Sequence, residues 1–273
     1  MALKRLLCLV FVSVLIAGAG FRAQADDKRM MLTGSSTVAP LAAEIGKRFE
    51  KLNPGTRIDV QAGGSTRGVR DARLGLADIG MASRGLKKEE HDLRAFEIAR
   101  DGIGIILNKN SAVSSLTNRQ IIGIYRGEIT DWGQVGGNPG PITVVNKAEG
   151  RSTLELFLHH FKLKARDIKA HVVIGDNQQG IKTVAGNRGA IGYVSIGAAE
   201  YEMNAGTSIK LLGINGIEAS TANVQNGRYP LSRPLNLVTK SKPQGRIAAF
   251  IGFARSEKVH DIVRDQYFVP IRP

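Results

Sequence analysis

Apolar positions along this chain fall into short runs that alternate with helical stripes, and the turns between them are rich in glycine and hydroxyls. Met30-Met31-Leu32 leads into Gly34-Ser35-Ser36-Thr37-Val38-Ala39-Pro40, after which Val38, Leu41, Ala42, Ile45 and Phe49 recur on one helical face. This predicts a strand end, a tight turn and a helix from Val38 to Leu52, stopped by Asn53-Pro54. Ser and Thr are good caps, and Pro40 sits in the first turn, where its missing N–H costs nothing.

The same grammar recurs. Arg57 to Gln61 alternates like a strand and ends in Gly63-Gly64-Ser65-Thr66-Arg67-Gly68, which opens an amphipathic segment from Val69 to Leu76. Asp78 to Arg84 reads as a short buried strand ending on a hydroxyl, followed by a charged helix from Lys87 to Ala95 and an apolar strand from Gly102 to Leu107. Thr117 caps a helix carrying Ile121, Ile122 and Tyr125, and Gly127 to Trp132 form a turn. The buried strand Ile142 to Val145 leads through Asn146 to Thr153 into a helix with Leu154, Phe157, Leu158 and Phe161. Strands at His171–Ile174 and Ile191–Val194 flank a short helix, Gly180 to Ala185. A strand from Leu235 to Thr239 and helices over Gln244–Ala254 and Val259–Gln266 close the chain. Alternating strands and helices imply an α/β fold with a mixed or mostly parallel sheet. Glycine-rich turns at the carboxyl ends of strands are where such sheets bind ligands.

Residues 1–25 read as a removable export signal: basic Lys4-Arg5, an apolar core from Leu6 to Ile16, and the small-x-small site Ala23-Gln24-Ala25. The expected location is the periplasm. The single cysteine, Cys8, lies in this leader, so the mature chain has no disulfide, no thiol catalysis and no Cys-ligated metal. About 248 residues remain, enough for one large or two medium α/β lobes. The net charge is +14 for the whole chain. It becomes about +11 without Lys4, Arg5 and Arg22 of the leader, and the scattered positive charge fits a small anionic ligand. Few aromatics (5%) and no dense basic block argue against nucleic acid.

Four strand-to-helix junctions carry hydroxyls with cations: Ser36/Thr37, Ser65/Thr66/Arg67, Ser83/Arg84, and Lys147 with Arg151/Ser152/Thr153. One such junction is ordinarily only a helix cap. Four of them can converge on a tetrahedral oxyanion, because N–H groups and helix dipoles hold negative charge, hydroxyls meet its oxygens, and Arg can fork to two of them.

These segments resemble, in order and over almost the whole mature chain, the periplasmic phosphate-binding proteins of ABC importers. The matching motifs are Gly34 to Pro40, Gly63 to Gly68, Ala77 to Arg84, Ile124 to Trp132, Glu149 to Thr153, Ile191 to Val194 and Tyr229-Pro230-Leu231-Ser232-Arg233-Pro234. The resemblance implies a two-lobed, type II-like periplasmic-binding-protein fold with the ligand closed between the lobes. It places lobe I at 26–107 plus 230–273 and lobe II at 108–229, with the hinge near Leu107-Asn108 and Arg228 to Pro230. Carried over, Ser36 and the Thr37 backbone hold phosphate with Ser65 and Thr66 beside them, and the Gly150 to Thr153 loop faces them from lobe II. Two departures stand out. Arg151 and Ser152 replace the usual Ser-Gly of that loop, with Lys147 where an Arg precedes it. Ser83-Arg84 occupies the place of a carboxylate that some members use to accept a proton from hydrogen phosphate.

The resemblance further implies a monomeric receptor that delivers inorganic phosphate to an inner-membrane permease, with no chemistry and no cofactor. The missing carboxylate keeps open a receptor for another oxyanion such as sulfate. A phosphatase-like enzyme on the same scaffold is the reading of a different class, but no activated nucleophile or glycine–x–serine–x–glycine elbow supports it. His91, His159, His160, His171 and His260 lack metal-ligand spacing, and no nucleic acid partner or metal is implied.

Overall fold

The computed structural model describes residues 29–271; the expected leader at residues 1–25 lies outside them. In chain order, β1 (Arg29–Gly34), α1 (Val38–Leu52), β2 (Arg57–Ala62), α2 (Ser65–Leu74) and β3 (Ile79–Ala82) form the opening unit. A long strand, β4 (Arg94–Asn108), leads to β5 (Ser115–Leu116), α3 (Asn118–Arg126), β6 (Thr143–Lys147) and α4 (Ser152–Phe161). Then follow β7 (Val172–Ile174), α5 (Asn177–Gly186), β8 (Ala190–Ser195), α6 (Ile196–Asn204), β9 (Ile209–Ile214) and α7 (Thr221–Gln225). The chain returns through β10 (Ser232–Thr239), α8 (Gly245–Ala254), α9 (His260–Asp265) and β11 (Val269–Pro270).

The main sheet path runs β2-β1-β3-β10-β4-β8-β6-β7. The β2-β1-β3 and β8-β6-β7 ends are parallel, whereas β10 and β4 run antiparallel to their neighbours in the middle. Each parallel end has its own core. Leu32, Leu41, Ile45, Phe49, Ile79 and Phe250 pack together on one side. Ile105, Ile124, Tyr125, Phe157, Ile191 and Tyr193 pack on the other, where the rings of Phe157 and Tyr193 stack 4.0 Å apart. β4 joins the two: Ile98 and Ala99 belong to the first core, Ile103, Ile105 and Leu107 to the second. β10 carries the chain back, with Leu231 just before it in the second core and Leu235 and Leu237 in the first.

Most elements lie where periodicity places them, and α1 has the bounds that its apolar stripe predicts. The helix expected over Lys87–Ala95 does not form. Only Lys88–Glu90 make a 3-10 turn, and Arg94 already begins β4. Glu90 caps this single turn, accepting from Arg84 Nη1 and Nη2 at 2.7 and 2.9 Å and from the Lys87 N–H at 2.8 Å. From Arg94 the chain pairs instead with β10, from Arg94↔Thr239 to Glu97↔Asn236, and this pairing takes the rest of the segment into the sheet. α6, α7 and β9 carry weak patterns and are supplied by packing. Asp78 accepts from the Met31 N–H at 2.7 Å, tying the start of β3 to β1.

Candidate functional site

Three strand ends of the first unit and one of the second point their small residues at a common centre. The β1–α1 turn depends on Gly34, whose φ of +134° no ordinary side chain tolerates, and whose carbonyl accepts from both Gly63 and Gly64 N–H at 2.7 and 2.8 Å. Ser35 N–H donates to Met81 O at 2.8 Å, so the turn is pinned to the end of β3.

At that centre four buried serine hydroxyls form a connected set. Ser35 Oγ donates to Ser83 Oγ at 2.9 Å, Ser83 and Ser152 Oγ share a proton at 2.6 Å, and Ser65 Oγ donates to Ser152 Oγ at 3.1 Å. Ser83 N–H closes the set onto Ser65 Oγ at 3.1 Å. Ser35 Oγ also accepts from Thr37 and Val38 N–H, so it, and not Ser36 or Thr37, caps α1.

Arg233 reaches the set from β10. Its Nη1 donates to Thr153 Oγ1 at 3.0 Å and Ser83 Oγ at 3.4 Å, and its Nη2 donates to Thr37 Oγ1 at 3.2 Å. Behind it, Asp101 Oδ2 accepts from Nε and Nη2 at 3.1 and 2.8 Å, and both side chains are 1% exposed. This carboxylate holds the guanidinium in one orientation with its outer donors turned to the hydroxyls. Asn177, at the start of α5, donates to Thr37 Oγ1 at 3.1 Å. Lys147, at the end of β6, donates to Asp176 O at 2.7 Å and Asn177 Oδ1 at 3.1 Å. Burial, then the charges of Arg233 and Arg151, push its ammonium down to about 7, with Asp176 opposing.

Of the residues singled out in the sequence, Thr37, Ser65, Ser83, Ser152 and Thr153 therefore come together, and Lys147 joins them through Asn177. Three are placed elsewhere. Ser36 lines a neighbouring cavity of about 410 Å³ with Pro40, Tyr201 and Phe268; the turn sends Ser35 inward in its place. Thr66 donates its hydroxyl to Glu155 Oε1 at 3.1 Å. Arg84 is engaged by carboxylates, bidentate to Glu90 and 3.1 Å from Glu155 Oε2, with Lys87 Nζ on the same oxygen at 3.1 Å. Burial opposes ionisation of Glu90, yet Arg84 and the Lys87 N–H outweigh it and hold this carboxyl below its ordinary range. Arg151 is half-buried and lies along the backbone: a Cβ on Gly64 would sit 3.0 Å from its Cδ, and one on Gly175 3.4 Å from its Nη2.

Ser35, Asp101, Asn177 and Arg233 complete the cluster without having been singled out. Arg233 lies inside the Tyr229 to Pro234 motif, just before the strand expected from Leu235, and that motif is the signal that could have found it. Asp101 and Asn177 carry no local signal; they acquire their roles from Arg233 and Lys147. The assembly offers hydroxyls, two buried cations and the N-termini of α1, α2, α4 and α5 to one point, which suits a tetrahedral oxyanion.

Residues 22–258 match the family model of the PBP superfamily domain. The chain belongs to this superfamily. Among curated relatives, the phosphate-binding protein PstS of Borreliella burgdorferi is 26% identical over 282 residues, covering 99% of this chain and 100% of that protein. PstS of Bacillus subtilis is 27% identical over 247 residues, covering 89% of this chain and 80% of that protein. A substrate-binding protein from Clostridium perfringens solved with bound phosphate superposes with a TM-score of 0.83 at 34% identity, covering 89% of this chain and all of the other. An ABC-type phosphate transport receptor from Vibrio cholerae gives a TM-score of 0.73 at 30% identity, with coverage of 89% and 100%. The fold is thus the two-lobed α/β fold of these binding proteins, and the serine cluster lies where the two cores face each other.

Proposed function

We propose that this chain is an exported receptor that captures inorganic phosphate between two lobes and presents it to an ABC permease. The observation that carries the reading is the convergence of Ser35, Ser65, Ser83 and Ser152 with Arg233, drawn from both halves of the molecule. We place the lobe crossings in β4 near Arg100–Gly102 and in β10 near Ser232–Pro234, because core membership changes there. This lies a few residues from the hinge at Leu107-Asn108 and Arg228 to Pro230 that the resemblance implies, and β4 stays paired with β8 and β9 up to Asn108. The leader at residues 1–25 supports export to the periplasm. The protein acts as a monomer, and no turnover of phosphate esters accompanies binding.

Anion binding closes the lobes because the ligand contacts both and so favours the closed state. Glu155 adds a latch: from α4 it meets Thr66, Arg84 and Lys87 of the first unit. Its pair with the exposed Lys87 is worth about 0.2–1 kcal/mol, and Arg84 keeps Glu90 as a partner when this carboxylate is removed. Glu155→Gln is expected to speed phosphate release by roughly two- to fivefold, read by stopped-flow fluorescence of Trp132; an unchanged release rate would remove the latch. Arg151→Ala removes a half-buried cation. It is expected to weaken phosphate binding by about tenfold, the scale of one charge-assisted contact, while the melting temperature stays unchanged. Unaltered affinity would take Arg151 out of the site.

The reading is tested by titration calorimetry of the ligand-stripped protein with phosphate, then with sulfate as competitor. One-to-one phosphate binding that excess sulfate does not displace supports it. Preference for sulfate would keep the fold and reassign the ligand, as the serine at position 83 in place of a carboxylate allows. No heat with either anion would sink it.

A further inference from the structure

Lys147 has an environment unlike that of the other cations in the cluster. It is 3% exposed, and both partners of its Nζ, the Asp176 carbonyl and the Asn177 amide oxygen, are uncharged. The charged and titratable groups around it come from five elements. Arg233 on β10 and Arg151 before α4 act against its positive charge. The carboxylate of Asp176 acts in its favour but is occupied in capping α5, accepting from Gln179 N–H at 2.8 Å. Asp101 on β4 is committed to Arg233. On β8, the Tyr193 hydroxyl, raised by burial, donates to Asn146 Oδ1 and accepts from the Lys147 N–H.

A neutral amine has two N–H donors, and two acceptors are what the site presents to it. Arg233 holds its charge at any working pH, because a guanidinium does not deprotonate in proteins. Lys147 is therefore the one cation of the buried cluster whose charge can respond to the ligand. Without a nearby anion, an ammonium here is opposed by desolvation and by two guanidiniums. With a dianion among the hydroxyls, the charge balance reverses and the ammonium is favoured.

We propose that phosphate capture is coupled to protonation of Lys147: above neutral pH the empty site holds the neutral amine, and binding of the dianion takes one proton from solvent to form the ammonium. This rests on the phosphate reading above. The step balances as one HPO₄²⁻ and one H⁺ taken up, with the nitrogen lone pair receiving the proton.

The lowered ammonium, at about 7, sets the window. Above it the empty site is increasingly neutral, so observed affinity is expected to fall by about tenfold per pH unit between roughly pH 8 and 9.5, where phosphate is almost wholly the dianion. Calorimetry at pH 8.5 in two buffers of different ionisation enthalpy gives the proton count directly. Uptake close to one proton per phosphate is expected for the wild-type protein, and none for Lys147→Arg or Lys147→Gln. Binding without proton uptake would overturn the inference and leave the receptor reading standing. Uptake that persists in Lys147→Arg would also overturn it, by assigning the proton to the ligand. Where neither variant binds, ¹³C NMR of lysine-labelled wild-type protein decides: a Lys147 signal that does not move from amine to ammonium on adding phosphate rejects the coupling. Absence of phosphate binding at every pH would take down both readings.

Discussion

Arg233→Gln is expected to abolish tight phosphate binding and to destabilise the fold at once. Its guanidinium supplies charge-assisted donors to the point where the hydroxyls meet, each worth about 1.5–3 kcal/mol, so losing two of them weakens binding by about a hundredfold or more. The same change strands Asp101, 1% exposed, with only the Gly197 N–H at 3.2 Å for a partner. Removing one member of a buried ion pair costs about 3–5 kcal/mol. The two effects can be separated. In Asp101→Asn/Arg233→Gln neither charge is buried, so denaturant unfolding is expected to recover most of the lost stability while calorimetry still finds no tight binding. Binding by Arg233→Gln within tenfold of the wild-type protein would exclude Arg233 from the anion site. Failure of the double variant to regain stability would show that the pair is not the source of the loss.

Gly34→Ala is the second large effect, and it acts through the backbone. An added Cβ would lie 2.3 Å from Met81 O and 2.9 Å from Gly68 Cα, at a φ of +134° that L-residues avoid. Neither obstacle is a movable side chain. Strain of about 1–3 kcal/mol from the dihedral adds to about 1–3 kcal/mol from overpacking, so the variant is expected to lose roughly 2–6 kcal/mol. Relieving the clash separates β1 from β3 and the start of α2, moving Ser35 away from Ser83. Phosphate affinity measured where the variant is still folded should therefore fall as well. A variant that unfolds like the wild-type protein would show that this turn is free to rearrange. A destabilised variant with unchanged affinity would show that the serine cluster does not depend on it.

Other charged groups contribute less than their number implies. Arg48 and Asp261 are paired at 2.7 Å and the carboxyl is held down to about 2, chiefly by that hydrogen bond against a small desolvation penalty. Both are solvent-exposed, and such pairs contribute little to stability. The basic excess is mostly surface, whereas Arg233 and Lys147 of the serine cluster are buried.

Local pattern carried a large part of this protein. The apolar stripe of α1, the Thr117 cap of α3 with Gln120 N–H donating back at 3.3 Å, the alternating sequence of β2 and the apolar run into β6 all follow from side-chain period and turn chemistry within a few residues. The glycine- and hydroxyl-rich junctions were legible for the same reason, since only certain residues make those turns. Which hydroxyl of Ser35-Ser36-Thr37 points inward was not legible, because it depends on the Gly34 dihedral and on the bond from Ser35 N–H to Met81 O. Nor was the division of labour among the arginines. Arg84 meets Glu90 and Glu155, and Arg233 meets Asp101, through chain separations of 6, 71 and 132 residues. The order of strands brings those partners together, and a charge takes its role from the opposite charge nearest to it in a site with little water. By itself the sequence determined which junctions bear hydroxyls and cations; tertiary structure decided which of those groups face one another, because direction and burial belong to the packed chain and not to the residue.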